Sequence, residues 1–289
     1  MKWLARALAA FAALALLFLG VGYWNATRPP VVVNVRLPLA GLPAGREIRV
    51  LHISDTHYGH PDMRTRRLLE VTRQANALKP DLIVLTGDYM GGKLLDKPRS
   101  WLEEALPPLA ALNAPLGVYA VLGNHDEPTW TRRVMARQVR PKLVVNESAD
   151  IGPLIIVGLD SALHGPLPDK AFAGVPPGKP VLLLIHEGDY LQYVPPRPGN
   201  PALALAGHTH GGQIRLPVVG SVGDVFTGKP LCRRGACTIG GWRLFVSSGV
   251  GTSVLPIRYG VPPEMVMITL HSPVAPADHS TGRKSGTER

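Results

Sequence analysis

The chain has two cysteines in 289 residues, no run of five or more like charges, and only 6% aromatic residues. Each scarcity excludes something. Cys232 and Cys237, in LCRRGAC, are the entire thiol complement, too few for a thiolate zinc site; one disulfide across a short turn, in an oxidising compartment, is their favoured use. Few aromatics and no basic tract leave no stacking platform for nucleic acid, which is therefore not an expected partner. No segment repeats at a solenoid period. Charged residues make up 18% against 45% hydrophobic, a balance that builds a core and excludes global disorder. The charge present leans one way. A formal +10 suits an anionic partner such as a phosphate ester or an acidic lipid surface, and equally serves plain solubility.

Long apolar runs are not scarce at the start. Residues 7–24, ALAAFAALALLFLGVGYW, are uncharged over 18 positions, and at about 1.5 Å per helical residue they nearly span a hydrocarbon core. Tyr23 and Trp24 fall where interfacial aromatics belong. The rival reading is a cleaved secretory signal, but its apolar part usually runs to only about 7–15 residues and ends at an A-x-A-like site, which is lacking here. An uncleaved anchor over 1–24 is therefore expected. Lys2, Arg6 and the amino terminus precede the apolar stretch, against Arg28 and Arg36 after it, an asymmetry that favours the rest of the chain lying outside the cytoplasm. The implied arrangement is a membrane crossed once, with the following domain outside the cytoplasm.

After a linker and first strand over 25–46, opened by NATRPP, β-branched runs of strand length recur at 31–37, 46–54, 81–87, 116–123, 153–160, 180–187, 201–208, 242–249 and 264–270. Several are continuously apolar, as in strands buried on both faces. Helical spacing appears at 65–78 and 100–112, the second interrupted by Pro107 and Pro108. The alternation predicts layered α/β sheets in a catalytic domain over 47–272. The polar, Pro/Gly/Ser-rich tail over 273–289 is expected to stay unfolded.

Polar residues cluster where these strands end. HISDTH closes one with Asp55 and His57, TGD the next with Asp88, and GNHDE follows a third with Asn124, His125, Asp126 and Glu127. LLIHE supplies His186 and AGHTH supplies His208 and His210. In open α/β sheets ligands bind outside the carboxyl ends of the strands, so these loops should converge. Imidazole, carboxylate and amide donors suit Mn, Fe, Zn or Ni, with Mn the first candidate. Seven donors exceed one tetrahedral ion and match two. With Asp88 bridging, one ion takes Asp55, His57, Asp88 and His210, and the other Asp88, Asn124, His186 and His208. Such a pair activates a hydroxide and clamps the oxygens of an in-line displacement at phosphorus. His208 and His210 could not both face one centre in a flat strand, but Gly207, Gly211 and Gly212 allow a turn that delivers both. Taken singly these residues have ordinary uses as caps, turns and packed histidines; together they lack a packing rationale, because buried charges cost several kcal/mol unless paired. His52 reads as a packed histidine and Glu127 as a surface charge. Arg233, Arg234 and Arg258 read as solvated side chains on a basic surface.

DTH at 55–57, GD at 87–88, GNHD at 123–126, His186 after an apolar strand and GHTH at 207–210 resemble the calcineurin-like metallophosphoesterases in type and order, over residues 47–250. The resemblance implies a β sandwich flanked by helices (α/β/β/α), a dinuclear centre with the ligands above, and His125 as a catalytic non-ligand that protonates the leaving oxygen or stabilises the phosphoryl group. Asp126 would orient it. HGGQ at 210–213 and SSGVGTSVLPIRYGVPPE at 247–264 resemble a membrane-associated bacterial phosphodiesterase branch, some of whose members cleave the pyrophosphate of UDP-linked diacylglucosamine. The expected activity is hydrolysis of a phosphodiester or pyrophosphate, on a lipid-linked or envelope substrate. Phosphomonoester hydrolysis, and metal-dependent binding of a phospholigand without turnover, remain the alternatives.

Overall fold

The computed structural model describes residues 1–94 and 101–273, without the side chains of residues 101, 226 and 227. All but the first residue of the tail expected over 273–289 lies outside the described residues.

In chain order the strands are β1 (Val31–Pro38), β2 (Glu47–Ile53), β3 (Leu82–Leu85), β4 (Val118–Ala120), β5 (Lys142–Leu143), β6 (Glu147–Asp150), β7 (Ile155–Gly158), β8 (Val181–Leu184), β9 (Ala202–Ala206), β10 (Arg215–Leu216), β11 (Gly220–Ser221), β12 (Gly235–Ile239), β13 (Trp242–Val246) and β14 (Glu264–His271). Two six-stranded sheets result, ordered β1-β14-β2-β3-β4-β5 and β12-β13-β9-β8-β7-β6, while β10 and β11 form a separate hairpin. The central strands run parallel: β2 pairs β3, β3 pairs β4, β7 pairs β8 and β8 pairs β9. Parallel strands must be covered on both faces, which explains the unbroken apolar runs LIVL and VLLL, each buried at every position. β1, the first strand expected at 31–37, pairs in register with β14 along its whole length.

Alternation along each strand divides the core into layers. Val50, Leu82 and Val84 of the first sheet meet Ile156, Leu182 and Leu205 of the second in the central layer. Leu51, Ile53, Ile83 and Leu85 face the other way, against Leu68 and Val71 of α2 (Thr65–Ala77) and Leu102 and Leu106 of α3 (Trp101–Ala110), with α4 taken as Pro128–Met135. Each such side chain contributes about 1.5–3 kcal/mol on full burial. The far face of the second sheet carries Val157, Leu183 and Trp242 beneath the one-turn helix Pro168–Ala171 and the 3-10 segment Gly188–Tyr193. The fourth layer is thus thin.

Two local expectations need correction. Pro107 and Pro108 do not interrupt the second helix, which continues through both to Ala110. Its buried face, Leu102, Ala105, Leu106 and Leu109, and the bond from Thr72 Oγ1 to the Pro108 carbonyl at 3.0 Å hold it against α2 despite the missing donors. Glu127 is more than a surface charge. Its carboxylate accepts from the backbone of Thr129 and Trp130 and caps α4, which has Pro128 in its first turn.

α1 (Lys2–Thr27) is apolar, with a mean hydropathy of 2.2 in a window of which none is buried within the chain. By length and composition it can cross a membrane.

Candidate active site

The carboxyl ends of β2, β3 and β4 in one sheet and of β8 and β9 in the other meet at one rim, where the seven candidate donors come together. Backbone bonds extend the first sheet past its strands: Asp55 N–H donates to Gly87 O at 3.1 Å and His57 N–H to Asp88 O at 2.9 Å. The sheets are joined by His208 N–H, which donates to Asp55 Oδ1 at 3.0 Å. Asp55, His57, Asp88, His208 and His210 all have positive φ, at 54, 41, 56, 71 and 51°. Non-glycine residues rarely adopt this conformation, and strain of about 1–3 kcal/mol each persists only where the surroundings enforce it. Here it turns successive side chains off the strand ends into one space. Gly207 and Gly123 permit the closeness: a Cβ on Gly207 would lie 1.9 Å from Ser54 Oγ, and one on Gly123 2.1 Å from Asp88 Oδ1.

Proton bookkeeping then identifies what the space accepts. His57 Nδ1 faces Gly91 O at 2.7 Å and His186 Nδ1 faces Thr86 O at 2.5 Å. A carbonyl only accepts, so both Nδ1 atoms carry hydrogen and each Nε2 offers a lone pair. His57 Nε2 points at His210 Nε2, 3.0 Å away, and at Asp88 Oδ2, 3.3 Å away. His186 Nε2 lies 3.2 Å from the same Asp88 oxygen, fully buried, with no hydrogen-bond partner. Around Asp88 Oδ2 two imidazole lone pairs face a carboxylate oxygen, an arrangement that cations between them relieve. Among the described residues three groups have the proximity to hold metal: Asp55–His57–His210, Asp55–Asp88–His186 and His186–Glu187–His208. The residues therefore fit divalent ions. Asn124 Oδ1 and His208 Nδ1, 2.8 Å apart, close the outer side.

The ionisation of these groups tells the same story. Burial pushes the Asp55 carboxyl up to about 6, opposed by His186 and reinforced by Asp88. Burial lowers the His57 imidazole to about 3. Burial also works against the Asp88 carboxylate, but His186 and His57 together outweigh it and hold Asp88 well below its usual range. His186 is reciprocally raised well above its usual value, because Asp88 and Asp55 outweigh its burial. Without metal, a proton on His186 supplies the missing cation.

His125 lies at the open edge. Its side chain is exposed and its ring stands 5.3 Å from that of His57, while its N–H donates to Asp88 Oδ1 at 2.9 Å. Asp126 departs from the expected role of orienting that ring. Its Oδ2 accepts from Asp88 N–H at 2.7 Å and Gly123 N–H at 2.9 Å, and its Oδ1 from Tyr89 N–H at 2.9 Å. A buried carboxylate engaged three times by backbone pins the Asp88 turn to the Gly123 turn. Burial and the adjacent Asp88 carboxylate push Asp126 up to about 7.

Arg258 is also corrected. It is fully buried beneath His210, and its guanidinium donates to the carbonyls of Ser248, Gly249 and Gly251. Burial lowers it to about 10. Arg233 pairs with Asp224, and Arg234 with Glu264. Glu187, unremarked in the sequence, is occupied by Ser161 Oγ at 2.6 Å and Ala162 N–H at 3.0 Å. His52 is buried, with Nε2 2.8 Å from Thr86 Oγ1. Cys232 and Cys237 form a disulfide.

The calcineurin-like phosphoesterase family model matches residues 48–212, and the chain belongs to that family. Its activity is therefore phosphoester hydrolysis, and its family works with divalent metals. An uncharacterized metallophosphoesterase of Aquifex aeolicus is 32% identical over 250 residues, covering 79% of this chain and 87% of that one. A bovine transmembrane protein with a metallophosphoesterase domain is 32% identical over 218 residues, covering 67% of this chain and 47% of that one. The UDP-2,3-diacylglucosamine pyrophosphatase LpxG of Chlamydia trachomatis is 29% identical over 224 residues, covering 59% of this chain and 65% of that one.

Proposed function

We propose that the chain hydrolyses a phosphodiester or pyrophosphate bond of a lipid-linked substrate at a centre holding two divalent ions, Mn first among the candidates. One ion is assigned to Asp55, His57, Asp88 and His210, the other to Asp88, Asn124, His186 and His208. The observation that carries this is the convergence of the His57 and His186 Nε2 atoms on one Asp88 oxygen, at 3.3 and 3.2 Å. Bound metal supplies Lewis acidity and a nucleophilic water at neutral pH.

The chain's own residues do the rest. Asp88 presents Oδ2 to the donors of both ions, while Oδ1 is held by His125 N–H. Thr86 O and Gly91 O fix the tautomers and ring planes of His186 and His57, as outer partners of metal-bound imidazoles do. His125, exposed beside His57, hands a proton to the departing oxygen or stabilises charge on the phosphoryl group. Asp126 acts indirectly, by fixing the Asp88 and Gly123 turns.

α1 would anchor the chain in a bacterial inner membrane. Lys2 and Arg6 in the first turns of α1 and the Cys232–Cys237 disulfide support a periplasmic domain. The LpxG relatives make a UDP-diacylglucosamine-type pyrophosphate one candidate substrate. Nucleotide-linked lipids belong to the nucleotide-containing cytoplasmic side, so this candidate and the disulfide pull apart. The substrate class therefore stays at lipid-linked diesters and pyrophosphates. The test uses the full chain in detergent with bis(p-nitrophenyl) phosphate. Hydrolysis should vanish on chelation and return with Mn; hydrolysis indifferent to chelation would defeat the proposal.

A further inference from the structure

α1 does not leave the domain behind where its apolar stretch ends. A Cβ on Gly22 would come within 2.8 Å of Ile257 Cβ and 2.7 Å of Tyr259 Cε2. The Tyr259 ring stacks on Phe18 with centroids 4.4 Å apart, and its hydroxyl donates to the Phe18 carbonyl. Arg258 N–H donates to Gly22 O at 3.0 Å. The domain thus grips the helix as far back as Phe18, a length of about 14 Å from the helix end at Thr27, at about 1.5 Å per residue. Between the charged Arg6 and that grip lies only Ala7 to Leu17, about 17 Å of apolar helix against a hydrocarbon core of about 30 Å. If α1 spans, the surface around Tyr259 must descend among the lipids.

That surface is suited to do so. Val254 and Leu255, on the same loop as Tyr259, are exposed, Val254 by 57%. Leu94, 75% exposed, donates its N–H to Val254 O at 3.2 Å. The β10–β11 hairpin, tied to the loop by Arg215 N–H donating to Tyr259 O at 2.8 Å, ends in Val218 and Val219, the latter 66% exposed. Exposed Arg215, in β10 of the same hairpin, adds charge that attracts anionic headgroups. The same loops border the catalytic rim: Gly92 O accepts Val254 N–H at 2.7 Å, and a Cβ on Gly92 would lie 3.3 Å from His125 Nε2.

We propose that Val218, Val219, Leu94, Val254 and Leu255 are embedded in the leaflet that α1 enters, so that the catalytic mouth opens toward the bilayer surface. This rests on α1 as a membrane anchor and not on which bond is hydrolysed. The native cysteines are paired, which leaves a single introduced thiol for labelling.

The full chain carrying Val219→Cys, with a bimane label, is reconstituted into vesicles of zwitterionic and anionic phospholipid. Val139→Cys serves as the control; it is 93% exposed and precedes β5, at the edge of the first sheet opposite β1. Acyl-chain spin labels should quench the Val219 probe and aqueous iodide should not, with the reverse at Val139. Iodide reaching the Val219 probe as fully as the Val139 probe would overturn the proposal. Leu255→Cys repeats the test on the second loop, so a disturbed hairpin does not decide it. Hydrolysis of bis(p-nitrophenyl) phosphate by the same samples reads catalysis separately: lipid quenching without hydrolysis upholds this inference and counts against the hydrolase assignment.

Discussion

Replacing Asp88 with Asn changes one atom of the carboxylate on which the site is built. Its Oδ2 lies 3.3 Å from His57 Nε2, and at an effective dielectric of about 20 two unit charges that far apart interact by about 5 kcal/mol. A divalent ion seated among these donors carries twice the charge, while shedding its own hydration takes back a large part. The net loss is put at about 4 kcal/mol, or roughly a thousandfold in affinity for at least one ion. Asp88→Asn should therefore purify with no more than half the wild-type metal and hydrolyse bis(p-nitrophenyl) phosphate about a thousandfold more slowly. The fold should survive. Asn keeps an acceptor for His125 N–H, and its amide can donate to His186 Nε2, which then needs no proton in the metal-free protein. A full metal complement with wild-type turnover, measured by elemental analysis and initial rates, would refute the reasoning.

His125→Ala should lower kcat about 10²–10⁴-fold while elemental analysis finds the metal content unchanged, because its ring is assigned to proton transfer and not to coordination. Gly207→Ala would place a methyl group 2.4 Å from Asp55 Oδ2; we expect a loss of about 1–3 kcal/mol in urea unfolding, together with metal, and retention of both would count against the close-packed junction. His52 gives a pH signature. Burial lowers it to about 3 from its ordinary 6.5, so between these values the unfolded chain binds the extra proton and stability falls as pH drops, by up to about 1.4 kcal/mol per unit. Above that window the group costs nothing. In chelator-stripped protein, His52→Gln should flatten the unfolding free energy between pH 6 and 4 relative to wild type; parallel curves would show that His52 is not held neutral.

Much of this was legible in the sequence because apolar runs and their polar terminations are local signals. β3, β8 and β9 are announced by LIVL, VLLL and ALALA, and each is followed within a few residues by a candidate donor. β6 and β12, ESAD and GACTI, carry no such run: they are edge strands with one buried residue each, specified by pairing with β7 and β13. The site was legible as a set of residue types but not as a network. Asp126 looked like a partner for the neighbouring His125, yet sequence adjacency does not decide where a carboxylate points, and three backbone donors outweigh one imidazole. Arg258 looked like surface charge because nothing in its sequence neighbourhood reveals the inward-facing carbonyls of residues 248–251. Glycine was the usable signal: GVG at 249–251 marks backbone packed against Asp55 and Thr56.

The central claim is that two ions sit side by side across Asp88. Electron paramagnetic resonance of the Mn-loaded full chain in detergent tests it directly. An exchange-coupled Mn pair, converting to the spectrum of an isolated ion in Asp88→Asn, is the predicted result. Isolated Mn in the fully loaded wild-type protein would contradict it.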